Sequence, residues 1–268
     1  MTSTIFRKKL LMLSTITVLV TGLTLTTTLD DAEAKKAKNA DVSVWDSDIA
    51  LDPFTGIFPI GGSGQIAGNF AVETKDKKDT TMQVGLRAQD RFDGPIEPIK
   101  GVYIVPTGES TPGLRAWNFD FSIDSGSEFL VTQLGKEITT SNLEDFDVVL
   151  EIKDAEKNKF KLDFDLGGVN ANPVGPIVLS QQSWNIGFGF LDIPVDSEAY
   201  KISLSVLEDD GKKGKKIAKS KITVLVTDQV PEDGKLDICH KDKTKSVSVK
   251  SVAKHIEKHG DTIGPCTE

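Results

Sequence analysis

The chain is poor in the residues that bind soft metals or act as nucleophiles and bases. Its 268 residues contain 3 histidines and 2 cysteines, and all five lie in one C-terminal stretch, ICHKDKTKSVSVKSVAKHIEKHGDTIGPC, at residues 238–266. Ser-His, Cys-His and histidine–metal chemistries are therefore excluded from the part of the chain that precedes this stretch.

Carboxylate chemistry is the catalytic class that this shortage leaves open before residue 238. A glycosidase needs two carboxyl groups a few ångströms apart, and no Asp or Glu pair stands out by its sequence context. Trp117 and Trp184 are candidate sugar platforms, but each alternates with apolar residues, which favours a place in the core. We expect a protein that is not an enzyme. The alternative is a carbohydrate-active hydrolase or sugar-recognition domain that uses carboxylates on a β scaffold.

An excess of positive charge is also missing. Lys and Arg number 32 against 40 Asp and Glu, a formal net charge of −8, so the chain lacks the basic footprint of a nucleic-acid-binding protein. Lysine-rich pieces at 75–79 and 209–219 lie between apolar alternations, and we interpret them as solvated turns. The expected partner is an extracellular or cell-surface ligand, not a nucleic acid.

One long apolar run occurs, close to the first residue. A basic RKK triplet at 7–9 precedes the uncharged segment 10–25, and an A-x-A cleavage signal follows at 32–34. We predict that residues 1–34 are a signal peptide, with an uncleaved membrane anchor as the alternative. No second apolar run follows, so we expect a secreted or cell-surface protein without a stable membrane span after cleavage.

Period-2 alternation of apolar and polar residues dominates the middle of the chain, and this period is typical of strands with one face buried. Such strands are joined by Gly, Pro, Asn and Asp turns, which predicts antiparallel sheets packed face to face. We predict an all-β fold, an antiparallel β-sandwich of immunoglobulin-like or jelly-roll type, over residues 35–227 as one large or two small modules. The clearest strands are WNFDFSI (117–123), FDVVLEI (146–152), FKLDFDL (160–166), WNIGFGF (184–190), YKISLSV (200–206) and KITVLV (221–226).

Short loops between strands predict two hairpins. VYIV at 102–105 and the strand at 114–123 flank a Gly/Pro loop, and YKISLSVL and KIAKSKITVLV flank EDDGKKGK in the same way. The Pro/Gly-bearing segment 228–235 is then a linker. Residues 236–268, here called the C-terminal module, form a separate small unit.

The C-terminal module reads as two short strands followed by a helix that Gly260 ends. A ββα unit of this size buries too little apolar surface to fold alone, so it needs a disulfide or a metal. In an exported protein Cys239 and Cys266 pair most simply, which would contribute about 3 kcal/mol. The alternative is a zinc site made by both cysteines with His255 and His259.

A disulfide leaves three histidines as candidate metal ligands. His255 and His259 are four residues apart on one helix face. Together with His240 they could bind zinc or copper(II), and Asp261 could orient a ring or supply a fourth ligand. The alternative role for one or two of them is to cap the helix C-terminus. We expect no calcium site, because the Asp-rich pieces 46–52 and 208–210 do not follow an EF-hand pattern.

The C-terminal stretch resembles a short module carried by many exported microbial proteins, with the pattern C-H-K, V-S, H-x-x-x-H-G-D-T-x-G-x-C. This likeness covers about a tenth of the chain. The part before it is similar to secreted β-sandwich proteins through GGSGQIAGNFAV, QVGLRAQDRFDGPI and AWNFDFSID. These resemblances imply export and modularity without an activity. The matching positions are Cys239, His240, Lys241, Val247, Ser248, His255, His259, Gly260, Asp261, Thr262, Gly264 and Cys266.

Overall fold

Two facing β-sheets and a small ββα unit make up the part of the chain that the computed structural model describes. The predicted signal peptide, Trp45 and the Asp-rich piece 46–52 lie outside the described residues. All described residues belong to one compact unit, Lys38–Glu268. The described residues are 42–43, 70–77, 80–127, 130–131, 134–164, 176–209 and 214–267.

The strands are numbered in chain order. They are β1 (Val42–Ser43), β2 (Phe70–Lys77), β3 (Thr80–Asp90), β4 (Gly94–Pro95), β5 (Val102–Val105), β6 (Glu109–Thr111), β7 (Leu114–Arg115), β8 (Trp117–Asp124), β9 (Phe146–Asp154), β10 (Lys159–Phe164), β11 (Leu179–Asn185), β12 (Ala199–Glu208), β13 (Lys216–Val226), β14 (Lys235–His240), β15 (Lys243–Ser248) and β16 (Thr262–Ile263). A 3₁₀ turn occupies Leu143–Asp145, and helix α1 spans Val249–His259.

Strand pairing confirms the predicted all-β, sandwich-like fold with its C-terminal ββα unit. The first sheet has the order β1-β2-β3-β8-β11, with β4 beside β3, and the second sheet has the order β10-β9-β12-β13-β5. All these pairs are antiparallel except β13 with β5. Apolar residues of both sheets, among them Leu86, Phe119, Ile152 and Ile202, share one buried core.

Trp117 and Trp184 lie in this core, as their alternation with apolar residues predicts. Trp117 is fully buried against Tyr200, with ring centres 5.7 Å apart, and Trp184 is 8% exposed. The ring of Trp184 packs edge-on against Phe121, 5.1 Å away. Both indoles therefore serve core packing in this structure.

One of the two predicted hairpins is confirmed and one is wrong. β12 and β13 pair from Ala199 with Leu225 to Leu207 with Lys216. β5 instead pairs in parallel with β13 in the second sheet, whereas β8 belongs to the first sheet. The connection between β5 and β8 contains its own two-stranded hairpin, β6-β7, and crosses from one sheet to the other.

The predicted strand at 184–190 is wrong beyond its first two residues, because β11 spans Leu179–Asn185 and ends there. The side-chain amide of Asn185 donates to the carbonyls of Arg115 and Trp117, and its oxygen accepts from the backbone N–H of Gly187. A Cβ at Gly187 would lie 2.3 Å from the carbonyl oxygen of Gly113. Close packing of this turn against the β6-β7 hairpin thus ends the strand.

The polar face of the first sheet is buried, although alternation predicts a solvated face. Every residue of β8 is buried, including Asn118, Asp120, Ser122 and Asp124. Arg87 lies opposite Asp120 and is also fully buried. Asn118 bonds to Ser183 and Ser122 to Gln181 on the neighbouring strand, and Arg87 bonds to Asp120. Asp124 instead accepts from the turn that follows its own strand.

The C-terminal module packs on the outer face of the second sheet. A second apolar cluster joins Val102, Ala155, Ala199 and Leu225 of the sandwich to the buried face of α1 and to β14. On the module side this cluster contains Leu236, Ile238, Val249, Val252, Ala253 and Ile256. The boundary at 228–235 remains a prediction, but the module and the sandwich share this cluster.

Candidate metal centre

A tight hairpin turn positions His240 at the end of β14. β14 and β15 pair from Lys235 with Ser248 to His240 with Lys243, which leaves a two-residue turn. The turn residues Lys241 and Asp242 have φ values of 52° and 58°, the left-handed conformation that two-residue hairpin turns require. The imidazole of His240 is thereby held at the rim of the three-stranded sheet β15-β14-β16.

Helix α1 positions the other two histidines. His255 and His259 are four residues apart and flank the buried stripe that contains Val252 and Ile256. Gly260 ends the helix in the left-handed conformation, with φ 66°, and its N–H bonds to the carbonyl of Ile256 at 2.9 Å. The predicted helix and its glycine stop are confirmed.

The chain returns to the sheet immediately after this glycine. Thr262 of β16 pairs with Cys239 of β14, so Asp261 is brought beside His240. Three residues beyond β16, Cys266 forms a disulfide with Cys239, with their Cα atoms 4.7 Å apart. The predicted disulfide is confirmed, and both sulfur atoms are committed to it, so the zinc site with cysteine ligands does not describe this structure.

Asp261 is the centre of the polar cluster. The residue is 4% exposed, and its carboxylate accepts from Nδ1 of His240 at 2.8 Å and from Nδ1 of His255 at 2.9 Å. Burial raises the pKa of Asp261, but the hydrogen bonds from the two imidazoles outweigh it and hold this pKa below its ordinary value. The carboxylate therefore stays ionised and fixes the orientation of both rings.

The three imidazoles form a nearly equilateral group. Ring centres are 5.7 Å apart for His240 and His255, 5.5 Å for His240 and His259, and 5.6 Å for His255 and His259. Ligand atoms of His240, His255 and Asp261 lie within 4.8 Å of one another. His259 is the most exposed of the three histidines, so the group opens toward solvent on its side.

The four predicted metal-site residues are thus neighbours in space, but His259 belongs to the group by its ring-centre distances and lies outside the set of ligand atoms within 4.8 Å. Sequence reasoning did not identify the residues that anchor this site to the sandwich. Glu198 accepts a hydrogen bond from the backbone N–H of Ile263 at 3.0 Å, and Glu257 of α1 forms ion pairs with Lys153 and Lys201. Neither glutamate carries a local sequence signal, because their partners are distant along the chain.

Buried carboxylates of the sandwich have structural partners. Asp120 pairs with Arg87, and Asp124 accepts from the backbone N–H groups of Gly126 and Ser127 at 2.9 and 2.8 Å. Burial raises the pKa of Asp120 and of Asp124 despite these contacts. Both acids cap or cross-link strands of the first sheet.

Comparison with protein-family models and with curated proteins finds no match for this chain. In the part of the chain that the structure describes, no helix has the length and apolarity needed to cross a membrane. Function must therefore be inferred from the geometry of the site.

Proposed function

We propose that this chain is an exported, non-catalytic binding protein whose C-terminal module holds a zinc or copper(II) ion between His240, His255 and His259. The observation that carries the proposal is the equal spacing of the three rings about one point, with Asp261 behind two of them. The resemblance to a module of exported proteins supports the same assignment to the cell exterior.

Ring spacing supports a shared ion. Three imidazoles that hold one ion through nitrogen atoms at about 2.0–2.1 Å have ring centres roughly 5 Å apart. The observed separations of 5.5–5.7 Å require only a small inward movement of the side chains. His259, at an exposed helix end, has the freedom to make this movement.

Asp261 acts in this proposal as a positioning residue. Its distances of 2.8 and 2.9 Å to the Nδ1 atoms of His240 and His255 are hydrogen-bond distances. Each ring then directs Nε2 away from the carboxylate. A carboxylate that receives the second ring N–H of a histidine ligand is the usual support of such sites, because it fixes the tautomer and makes the nitrogen more basic.

The donor set limits the metal and its chemistry. Imidazole nitrogen suits zinc and copper(II), whereas calcium and magnesium prefer oxygen ligands. Three protein ligands leave a coordination position for water or for an external donor. A bound ion would therefore add a positive, ligand-accepting point to the surface of the module.

Export is supported by the disulfide, since such bonds persist in oxidising compartments. Amino-terminal sequencing of protein collected outside an exporting host tests it. We expect a first residue at or near Lys35. Recovery of chains that begin at Met1 or Thr2 would indicate a retained anchor and would contradict export by cleavage.

Metal titration of the purified chain tests the site. Wild-type protein should bind one zinc or copper(II) ion per chain, and His255→Ala or His259→Ala should abolish tight binding while the thiol count stays at zero. Lys254→Ala and Lys258→Ala are matched controls, because both lysines are exposed on the same helix, and they should bind as wild type does.

Asp261→Asn tests whether the carboxylate positions the histidine rings or binds the metal directly. If Asp261 positions the rings, this variant should lose about 10–100-fold in affinity and keep the same stoichiometry. Complete loss of binding in Asp261→Asn together with unchanged binding in His259→Ala would mean that Asp261 replaces His259 as a ligand. Wild-type protein that binds neither metal would refute the proposal.

A further inference from the structure

Beside the C-terminal module, the outer face of the second sheet carries lysines that are arranged in rows across the strands. Residues that are directly opposite on neighbouring strands point to the same side of a sheet. Lys159, Lys153 and Lys201 form one such row, next to Thr223 of β13. They alternate with Phe160, Ile152 and Ile202 of the core, so this row faces away from the sandwich interior.

Two further rows continue the pattern. Lys161, Glu151, Ser203 and Lys221 are opposite one another in the second row. Asp163, Val149, Ser205 and Lys219 form the third. The lysine face is defined here by its six lysines: Lys153, Lys159, Lys161, Lys201, Lys219 and Lys221.

The lysines of this face are accessible. The side chains of Lys159, Lys161 and Lys201 are 53%, 52% and 48% exposed, and Lys221 is also exposed. Lys153 and Lys219 are half-buried. Adjacent strands are about 4.8 Å apart, so three strands present a row of ammonium groups within roughly 10 Å.

In the part of the chain that the structure describes, the carboxylates on this face are too few to balance the lysines. Glu151 pairs with Lys159 at 2.9 Å, and Asp163 pairs with Lys161 at 3.0 Å. Glu257 approaches from α1 and pairs with Lys153 and Lys201. Six lysines and three carboxylates leave an excess of three positive charges, in a chain whose formal net charge is −8.

The edges of the face do not extend this excess. In the next row Leu207 lies between Asp147 and Lys216, which are its partners on the two neighbouring strands. The negative charge of Asp147 balances the positive charge of Lys216. At the β13 edge, Glu73 accepts a hydrogen bond from the backbone N–H of Lys219. Among the described residues, the excess of positive charge therefore lies in the three rows nearest the C-terminal module.

The pKa of Lys219 is lowered by burial and by repulsion from other lysines of this face. Burial lowers its pKa, and Lys216, Lys221 and Lys159 lower it further, against the attraction of Glu151. Lysines of β13 and of β10 thus act on one ammonium group. An anion bound on this face would relieve that repulsion.

We propose that the lysine face binds an anionic polysaccharide. Lysine is a point charge that recognises negative charge density, whereas arginine would impose bidentate geometry, and the three rows contain lysine without arginine. Ser203, Ser205 and Thr223 lie between the lysines and supply hydroxyl groups for hydrogen bonds to sugars. A polymer that carries carboxylate or sulfate groups at regular intervals matches a flat surface of this kind.

A membrane surface is the less suitable partner. Proteins that bind membranes at the interface insert large apolar side chains beside their lysines. Among the described residues, the exposed large hydrophobic side chains are Phe92, Phe190 and Val230, and none of them belongs to the lysine face. The polysaccharide proposal needs neither the metal ion nor the three histidines, so it stands apart from the metal site.

Binding of the full exported chain to polygalacturonate and to dextran sulfate tests the proposal, with neutral dextran as the blank. Polygalacturonate carries carboxylates and dextran sulfate carries sulfates, so the two probes identify the preferred anion. The triple variant Lys159→Glu, Lys161→Glu and Lys221→Glu should bind at least about tenfold more weakly at low salt. The triple variant Lys235→Glu, Lys243→Glu and Lys245→Glu changes the net charge equally at exposed positions outside the face and should bind as wild type does.

A glutamine version of the first triple variant, which removes charge without reversing it, guards against misfolding and should also weaken binding. Equal losses in both glutamate triples would mean that net charge alone governs binding, and would overturn the assignment to this face. Wild-type protein that binds neither polyanion, or that binds anionic phospholipid vesicles but no polysaccharide, would overturn the proposal as well.

Discussion

The guanidinium of Arg87 donates through Nε to Oδ2 of Asp120 at 2.7 Å, and both side chains are fully buried on the polar side of the first sheet. The ring of Phe70 lies 4.4 Å from the guanidinium carbon and covers it. Asp120 is opposite Arg87 in the strand register, so the pair links β3 to β8. A buried ion pair of this kind is costly to break because one charge would remain without a counterion.

Asp120→Asn should therefore destabilise the fold by about 3–5 kcal/mol, since it leaves the Arg87 charge buried without its carboxylate. Urea unfolding followed by circular dichroism measures the loss. The double variant Arg87→Met and Asp120→Leu is the matched control, and it should recover most of the stability. A single variant as stable as wild type would show that another group balances Arg87.

Strand periodicity was sufficient to predict the fold class, because one face of each strand meets the common core. It could not predict that the polar face of β8 is also buried. Alternation shows that a face is polar, but it does not show whether that face meets water. Here Asn118 donates to Ser183, and Ser122 accepts from Gln181 on the neighbouring strand. The prediction of a β5-β8 hairpin was wrong for a related reason. A short connection does not show whether the next strand joins the same sheet, and here the connection leads from the second sheet to the first.

The candidate site was predictable where its geometry is local. The i, i+4 spacing placed His255 and His259 together, and Gly260 ended the helix where the sequence indicated. What brings His240 and Asp261 to them is the pairing of β16 with β14, which no local pattern encodes. The lysine face was missed because its rows combine two strand pairs, β9-β10 and β12-β13, that are distant from each other in sequence.

The disulfide should stabilise the C-terminal module more than any single contact in it. Cys239 and Cys266 are 27 residues apart and enclose the three histidines and Asp261. Replacing both by serine should cost about 3 kcal/mol and should weaken metal binding, because the segment that carries Asp261 is no longer tied to β14. Urea unfolding and a metal titration measure the two effects. Wild-type protein treated with a dithiol reductant is the control, and an unchanged unfolding midpoint in either sample would contradict this role.

Removing the C-terminal module should leave a folded sandwich with an exposed apolar patch. A chain that ends at residue 227 keeps all strands of both sheets, yet it uncovers Val102, Ala199 and Leu225, which are 5%, 3% and 0% exposed in the whole protein. We expect an unchanged sheet signal by circular dichroism and increased binding of a hydrophobic dye. The same truncation with Leu225→Thr should bind less dye. Loss of the sheet signal would instead show that the sandwich needs the module to fold.

Docking of helix α1 should depend on pH through Glu257. Its carboxylate lies 2.8 Å from Nζ of Lys153 and also contacts Lys201. Hydrogen bonds from these two lysines lower the pKa of Glu257 from 4.5 to about 2. A depressed carboxyl pKa means that the folded state favours the ionised form, so the stabilisation is complete above about pH 4.5 and is lost as the pH falls toward 2.

Glu257→Gln should accordingly lower the unfolding temperature near neutral pH and have no effect close to pH 2. The difference in the free energy of unfolding should be about 1 kcal/mol or less, because the side chains of Lys153 and Lys201 are 31% and 48% exposed and water screens the pairs. Glu232→Gln removes the same charge at an exposed position and should change little at either pH. Thermal unfolding of wild type, Glu257→Gln and Glu232→Gln from pH 2 to pH 7 tests this prediction. If the unfolding temperature of Glu257→Gln were still lowered by the same amount at pH 2, the side chain would act through packing and not through its charge.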